Sequence, residues 1–358
     1  MSDLPYQSAP GNRVTSYLLD QLRRHPKRVV FTEGEDLRVL QAAAALVAEE
    51  VVAPILLGNR ARIHALAEAN GVPMTFIHTI DPPTASDFPM FCRLVENMDR
   101  YRSVPSAQPA DLVARPHYFG SLMVQYGQAD AVVGGNQATP ATYFRALLHT
   151  IKPLPTVPKI FGANILIGPH LQHLGGGGIL FLADCGLIPN PDISQLAAIA
   201  IETGKLAHHF LGRAPLVAML SHSTKGSAAT PDAARMAAAA ALAREIAQRE
   251  FLDIEIEGEL QADVALDPSA AETKLAGAST RRSADVLIFP NLDAAHISLK
   301  LLQHIAGAQT YGQLVMGLAR PAAQIPRTAT VETIFGTAAV VAVEAIKFHQ
   351  LYPDGDPH

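Results

Sequence analysis

The run Leu216-Val217-Ala218-Met219-Leu220-Ser221 is apolar up to its last residue, and the small, polar His222-Ser223-Thr224-Lys225-Gly226-Ser227 follows it. An apolar run of that length suits a strand buried on both faces, with the polar stretch as the turn at its carboxyl end. Thr230-Pro231-Asp232 then sets a capping hydroxyl before a first-turn proline and an acid, and the Ala-rich segment from Pro231 to Arg249 continues at helical spacing. The same unit recurs along the chain. Apolar runs at 28–32, 53–58, 129–135, 178–184 and 284–290 end at Gly, Pro or another polar residue, and helical segments span Asp36 to Glu50 and Ser194 to Phe210. Alternation of strand and helix predicts an α/β fold with mostly parallel sheets flanked by helices and right-handed crossovers.

The chain has 358 residues, room for two domains of roughly 150 to 200 residues each. The prolines of Lys152-Pro153-Leu154-Pro155-Thr156-Val157-Pro158 break helix and sheet alike and mark a boundary, and a second crossing is expected near Thr310-Tyr311-Gly312. The expected organisation is a discontinuous α/β domain of residues 1–155 plus 312–358, a second α/β domain of residues 156–311, and a cleft between them. Hydrophobic residues make up 49% and charged residues 17%, which is a globular composition with material for a core. The net charge of −5, without any block of Lys and Arg, argues against a nucleic-acid partner. Two cysteines, Cys92 and Cys185, make neither a disulfide framework nor a four-Cys zinc site, which fits a reducing compartment. Met1 to Asn12 lacks the apolar core of a signal peptide, and no apolar run approaches the ~18 residues of a membrane span. A cytoplasmic protein without a membrane partner is expected.

Ligands of open α/β sheets sit outside the carboxyl ends of strands. Those ends read Thr32-Glu33-Gly34, Gly134-Gly135-Asn136, Ser221-His222-Ser223 and Pro290-Asn291. The loop of Ser223, Thr224, Lys225 and Gly226 offers hydroxyls, an ammonium and backbone N–H groups to an anion, although it is not a P-loop; a polar strand-to-helix turn accounts for the same residues. Arg145 and Arg327 are the leading anion ligands, because a guanidinium holds phosphate oxygens in bidentate fashion; a solvated face explains either one alone. The pairs His170/His173 and His208/His209 lack an acidic partner at metal-ligand spacing, so no metal is expected. Cys185 lacks the surroundings of a nucleophile.

Several ordered motifs carry a resemblance: Phe31-Thr32-Glu33-Gly34-Glu35-Asp36-Leu37-Arg38, Tyr118 to Val124, Gly127 to Ala131, Asp184 to Asp192, Ser221 to Ser227, Glu257 to Asp263 and Phe289 to Ala294. Over roughly residues 28–350 the chain resembles the phosphate acetyltransferase family, of the phosphate acetyl/butyryl transferase type. The resemblance implies two α/β domains, a homodimer, and reversible transfer of an acetyl group between coenzyme A and inorganic phosphate. Coenzyme A and acetyl-CoA, phosphate and acetyl phosphate would be substrates, with no cofactor, no metal and no covalent acyl-enzyme. Arg145 and Arg327 would grip the phosphate, and Ser223, Thr224, Lys225 and Asn291 would bind substrate. The family's Ser-Arg-Gly-Cys-Ser motif and a later Asp correspond here to Pro326-Arg327-Thr328-Ala329-Thr330 and Thr333, so only the arginine is retained. Glu332, His296 or the substrate phosphate would then stand in for the missing base. The Ser221-His222-Ser223 loop and the region of Thr330-Val331 also resemble the C-terminal domain of bacterial hybrid malic enzymes, which implies an alternative: an acetyl-CoA-sensing module without turnover. A phosphate butyryltransferase is a further alternative.

Overall fold

The computed structural model describes residues 13–98, 108–168, 171–275 and 282–351; the polar N-terminal dozen and His170 lie outside them. The chain runs through α1 (Arg13–Arg24), β1 (Lys27–Phe31), α2 (Leu37–Ala48), β2 (Val52–Leu57), α3 (Arg60–Ala69) and β3 (His78–Ile80). Helices α4 (Phe88–Glu96), α5 (Pro109–Val113) and α6 (Pro116–Gln125) lead to β4 (Ala131–Gly134) and α7 (Pro140–Thr150). Next come β5 (Phe161–Ile167), β6 (Ile179–Ala183), α8 (Ile193–Leu211), β7 (Leu216–Leu220), α9 (Pro231–Arg249) and β8 (Glu255–Leu260). The short α10 (Ala262–Leu266) and α11 (Pro268–Lys274) precede β9 (Val286–Ile288), α12 (Leu292–Ile305) and β10 (Gln309–Met316), and the chain closes with β11 (Ala322–Gln324) and α13 (Val331–Leu351).

Two compact units emerge, one from the chain up to Leu154 with the chain from Leu318 onward, the other from Pro155–Gly317. In the first, strands pair in the order β3-β2-β1-β4-β11, every pairing parallel. Val29, Val30, Phe31, Val132 and Val133 are buried, as strands covered on both faces require. In the second, the order is β10-β5-β6-β9-β7-β8. The pairings β6-β9, β9-β7 and β7-β8 are parallel, whereas β10-β5 and β5-β6 are antiparallel. The antiparallel part was not legible in the apolar runs. For β5-β6 the cause is length: the Gly-rich segment between Ile167 and Ile179 is shorter than the dozen or so residues a parallel crossover needs. Leu182, Leu216, Ala218, Leu220, Leu260 and Leu287 form the heart of this unit's core.

Local signals read from the sequence set the helix starts. Asp192 caps α8 in a reciprocal box, accepting from Gln195 N at 2.8 Å while its own N–H donates to Gln195 Oε1 at 3.1 Å. Ser194 Oγ donates to the same Asp192 Oδ1 at 2.7 Å. Thr230 caps α9, with Pro231 in its first turn. The turn after β6 is organised by one side chain. Asp184 Oδ1 accepts from Gly162 N, Gly186 N and Leu187 N at 2.9, 2.8 and 3.2 Å, and Oδ2 accepts from Ile188 N at 2.6 Å. Asp184→Ala strips acceptors from several backbone donors at once, so it should destabilise the protein by on the order of 3 kcal/mol. Asp184→Asn, which keeps a carbonyl oxygen, should cost less; urea unfolding of the two variants measures the difference.

Candidate active site

In the first unit, polar groups gather at the carboxyl ends of β1, β4 and β11. Glu33 follows β1 and is only 9% exposed. Its carboxylate accepts from Gly135 N at 2.9 and 3.1 Å and from Thr32 Oγ1 at 2.7 Å. His117, in the first turn of α6, places Nδ1 3.2 Å from Thr32 Oγ1 and 3.7 Å from Glu33 Oε1. Burial pushes Glu33 up to about 7; the bonds from Thr32 and Gly135 oppose this, and the nearby charge of Asp36 adds to it. Burial, helped by the Arg115 charge, moves His117 the other way, below its ordinary value. Both line a hollow of about 310 Å³ with Thr32, Glu35, Gly58 and Gln137. The close approach of β4 depends on Gly134, where a Cβ would fall onto Thr32 Oγ1 and within 2.7 Å of Tyr143 Cε2.

Arg327 stands exposed in the turn after β11, which Ala329 N closes by donating to Pro326 O at 2.9 Å. Arg145 is exposed on α7, and that helix is tied to β11 by Tyr143 OH donating to Ala323 O at 3.1 Å. Both arginines thus lie in the first unit, with Arg145 about 200° around α7 from the Tyr143 that meets β11. Glu332 is half-buried in the first turn of α13. Beside it, Thr333 is occupied locally: its N–H donates to Thr330 Oγ1 at 3.2 Å, and the two hydroxyls lie 3.1 Å apart. The residue at the family's Asp position thus takes part in capping α13.

In the second unit, the loop after β7 does hold an anion, and the anion is the protein's own. Ser223 is fully buried; its hydroxyl donates to Glu259 Oε1 at 2.9 Å and accepts from Ala228 N at 3.0 Å. Gly226 N donates to the same Glu259 oxygen at 2.6 Å. Thr224 Oγ1 donates to Gln261 Oε1 at 3.2 Å and accepts from Gln261 N at 3.0 Å. Lys225 pairs with Glu257 at 2.6 Å and donates to Gly258 O at 3.3 Å. Burial acts to raise Glu259, but the bonds from Gly226 and Ser223 and the Lys225 charge outweigh it and hold the carboxyl below its ordinary value. The hydroxyl protons of Ser223 and Thr224 are thus directed to the loop's own scaffold, and Lys225, with its side chain 42% exposed, is paired with Glu257. Sequence spacing alone did not bring Glu259 into view.

Asn291 caps α12, Oδ1 accepting from Ala294 N at 2.9 Å. It lines a hollow of about 350 Å³ with Ser221, His222, Asp232 and Ser298. His222 Nε2 lies 3.2 Å from Thr230 Oγ1. His296 is exposed and is not among the lining residues. It sits two residues from both Ala294 and Ser298, a rotation of about 200° from the face they present. That geometry removes His296 from the hollow. Cys185 is buried, and burial pushes its thiol well above the ordinary range, which fits a packing role. Reading the sequence missed Glu33 and His117 as a unit. Thr32-Glu33-Gly34 was visible as a strand end, but His117 lies outside every motif and meets Glu33 only through the pairing of β1 with β4 and the packing of α6.

Glu33 binds its proton more tightly in the fold, near 7, than in the unfolded chain, at 4.5. Its contribution to stability is complete below 4.5 and is lost as pH rises through about 7, because in that window the folded chain holds a proton that the unfolded chain has released. Glu344, buried on α13 and raised by burial to about 8, acts with the same sign in an overlapping window. Glu33→Gln should flatten the fall in urea midpoint between pH 4.5 and 7, leaving the part due to Glu344. An unchanged slope would remove Glu33 as the titrating group.

With this geometry in hand, the comparisons with known proteins agree with one another. The family model for phosphate acetyl/butaryl transferases matches residues 13–342. The phosphate acetyltransferase of Acetivibrio thermocellus is 33% identical over 328 residues, covering 92% of this chain and 97% of that protein. The phosphate acetyltransferase of Staphylococcus epidermidis is 35% identical over 335 residues, covering 93% and 98%. The solved structure of the EutD phosphotransacetylase from Staphylococcus aureus superposes with a TM-score of 0.82 at 32% identity, covering 93% of this chain and 98% of that one. A match of this extent, to the family model and to full-length relatives alike, places the chain in the phosphate acetyl/butaryl transferase family.

Proposed function

We propose that this protein transfers an acetyl group reversibly between coenzyme A and inorganic phosphate. The observation that carries the reading is the match along nearly the whole chain to proteins named phosphate acetyltransferase. In the forward direction the coenzyme A thiol gives up its proton, and the thiolate attacks the carbonyl carbon of acetyl phosphate. The tetrahedral adduct collapses with cleavage of the bond to the phosphate oxygen, releasing inorganic phosphate. Holding that phosphate is the main task of the protein, since charge develops on its oxygens. Arg327, exposed on a closed turn, and Arg145, exposed on α7, are the guanidinium groups we assign to it. In the second unit, Asn291, with Ser221 and His222 in the same hollow, offers hydrogen-bonding groups that we assign to substrate. Glu332 or the substrate phosphate takes the thiol proton.

We further propose a cytoplasmic homodimer. Among the described residues no helix is long and apolar enough to cross a membrane. On α12, Ile297, Leu301 and Ile305 recur every fourth residue and are 58%, 52% and 79% exposed, an apolar stripe that a second copy of the chain would cover.

Purified protein mixed with acetyl phosphate and coenzyme A should raise the thioester absorbance. Arg327→Ala should lower kcat/KM for acetyl phosphate about 100-fold, the scale of losing one charge-stabilising donor. Acetyl-CoA binding without turnover would instead favour the sensing module, and faster turnover of butyryl phosphate would move the acyl preference. Leu301→Glu should shift the protein to a monomer in light scattering; a wild-type monomer at the same concentration removes the dimer.

A further inference from the structure

The turn that presents Arg327 is held from far away in sequence. Arg38, in the first turn of α2, donates from Nη1 to Arg327 O at 3.0 Å and to Ala329 O at 2.8 Å, across 289 and 291 residues of chain. The opposite edge of the same guanidinium is fixed by Asp36: Nη2 donates to Oδ2 at 2.7 Å and Nε to Oδ1 at 3.1 Å. Asp36 is itself buried and held from a third direction, by Asn136 Nδ2 at 2.7 Å and Gln137 Nε2 at 3.1 Å. One carboxylate and one guanidinium thus join the loops after β1, β4 and β11.

We propose that Asp36 and Arg38 are positioning residues for Arg327, fixing the backbone turn from which its side chain reaches the phosphate. The inference rests on the assignment of Arg327 to phosphate above. The main chain of the turn is doubly restrained, once by the Ala329 N to Pro326 O bond and once by the two carbonyls on Arg38. A turn held in this way loses little entropy when its exposed guanidinium engages an anion. Lysine cannot replace Arg38, because a single ammonium cannot align one edge on a carboxylate and the other on two carbonyls. The clamp also stays charged at neutral pH. Burial acts to raise Asp36, but the bonds from Arg38 and Gln137 outweigh it and hold the carboxyl below its ordinary value.

The test is a double-mutant cycle in the full-length protein, read as KM and kcat for acetyl phosphate and for coenzyme A. Calorimetric titration with inorganic phosphate alone supplies a readout that does not need turnover, and urea midpoints report folding. Arg38→Ala and Asp36→Asn should each raise KM for acetyl phosphate, and Kd for phosphate, by about tenfold, with KM for coenzyme A within about twofold of wild type. In the Arg327→Ala background, adding Arg38→Ala should change either quantity by less than about twofold, because the group it positions is gone. Arg38→Lys should recover little of the loss; it and Asp36→Asn carry the test should Arg38→Ala fail to fold. An equal penalty with and without Arg327, or an equal rise in both KM values, overturns the proposal. Should Arg327→Ala weaken phosphate binding while Arg38→Ala does not, the positioning role alone fails. If Arg327→Ala leaves phosphate binding unchanged, the assignment of Arg327 fails and the inference with it.

Discussion

A carboxylate placed at the end of a buried strand must collect hydrogen bonds or give up its charge, and the loops of this protein are built around that requirement. Asp36, Asp184 and Glu259 each follow or end a strand-to-loop junction, and each gathers donors from segments that would otherwise be independent. Asp36 and Glu259 collect enough to stay charged, with carboxyls held below their ordinary range. Glu33 does not: burial dominates, and its proton is retained to about 7. The difference lies in the partners. Asp36 has a guanidinium and Glu259 has a nearby ammonium, whereas Glu33 has backbone, a hydroxyl and a repelling neighbour.

This arrangement redistributes the roles that residue types alone suggest. The loop after β7 has the chemistry of an anion cradle, with a buried hydroxyl, a glycine N–H and a lysine, and the fold fills that cradle with Glu259. The exposed guanidinium groups of Arg145 and Arg327 remain, and they belong to the first unit, on elements bonded through Tyr143 and Ala323.

Much of the architecture was readable because it rests on local rules. The runs that became β1, β2, β4, β6, β7 and β9 announced themselves by apolar continuity, and Thr230 and Pro231 marked the start of α9. The strands that stayed hidden had reasons to. β3 reads His78-Thr79-Ile80 and β11 Ala322-Ala323-Gln324, neither a long apolar run, and β8 interleaves Glu255, Glu257 and Glu259 with its apolar positions. β5 pairs antiparallel with β6 across a short Gly-rich connection and with β10 from far along the chain. Among the residues singled out by type, Arg145 and Arg327 are exposed, Asn291 lines a hollow that His296 does not, and the partners of Ser223 and Thr224 could not be read from spacing.

Sequence by itself determined the alternation of layers, the helix caps and the family, because periodicity, capping and ordered motifs are written within windows of a few to twenty residues. Tertiary structure alone decided which polar groups remain available. Ser223 meets Glu259, His117 meets Glu33, and Arg38 meets the carbonyls of Arg327 and Ala329 only after strands distant in the chain have paired. A hydrogen bond depends on distance and angle, and neither is encoded by separation along the chain.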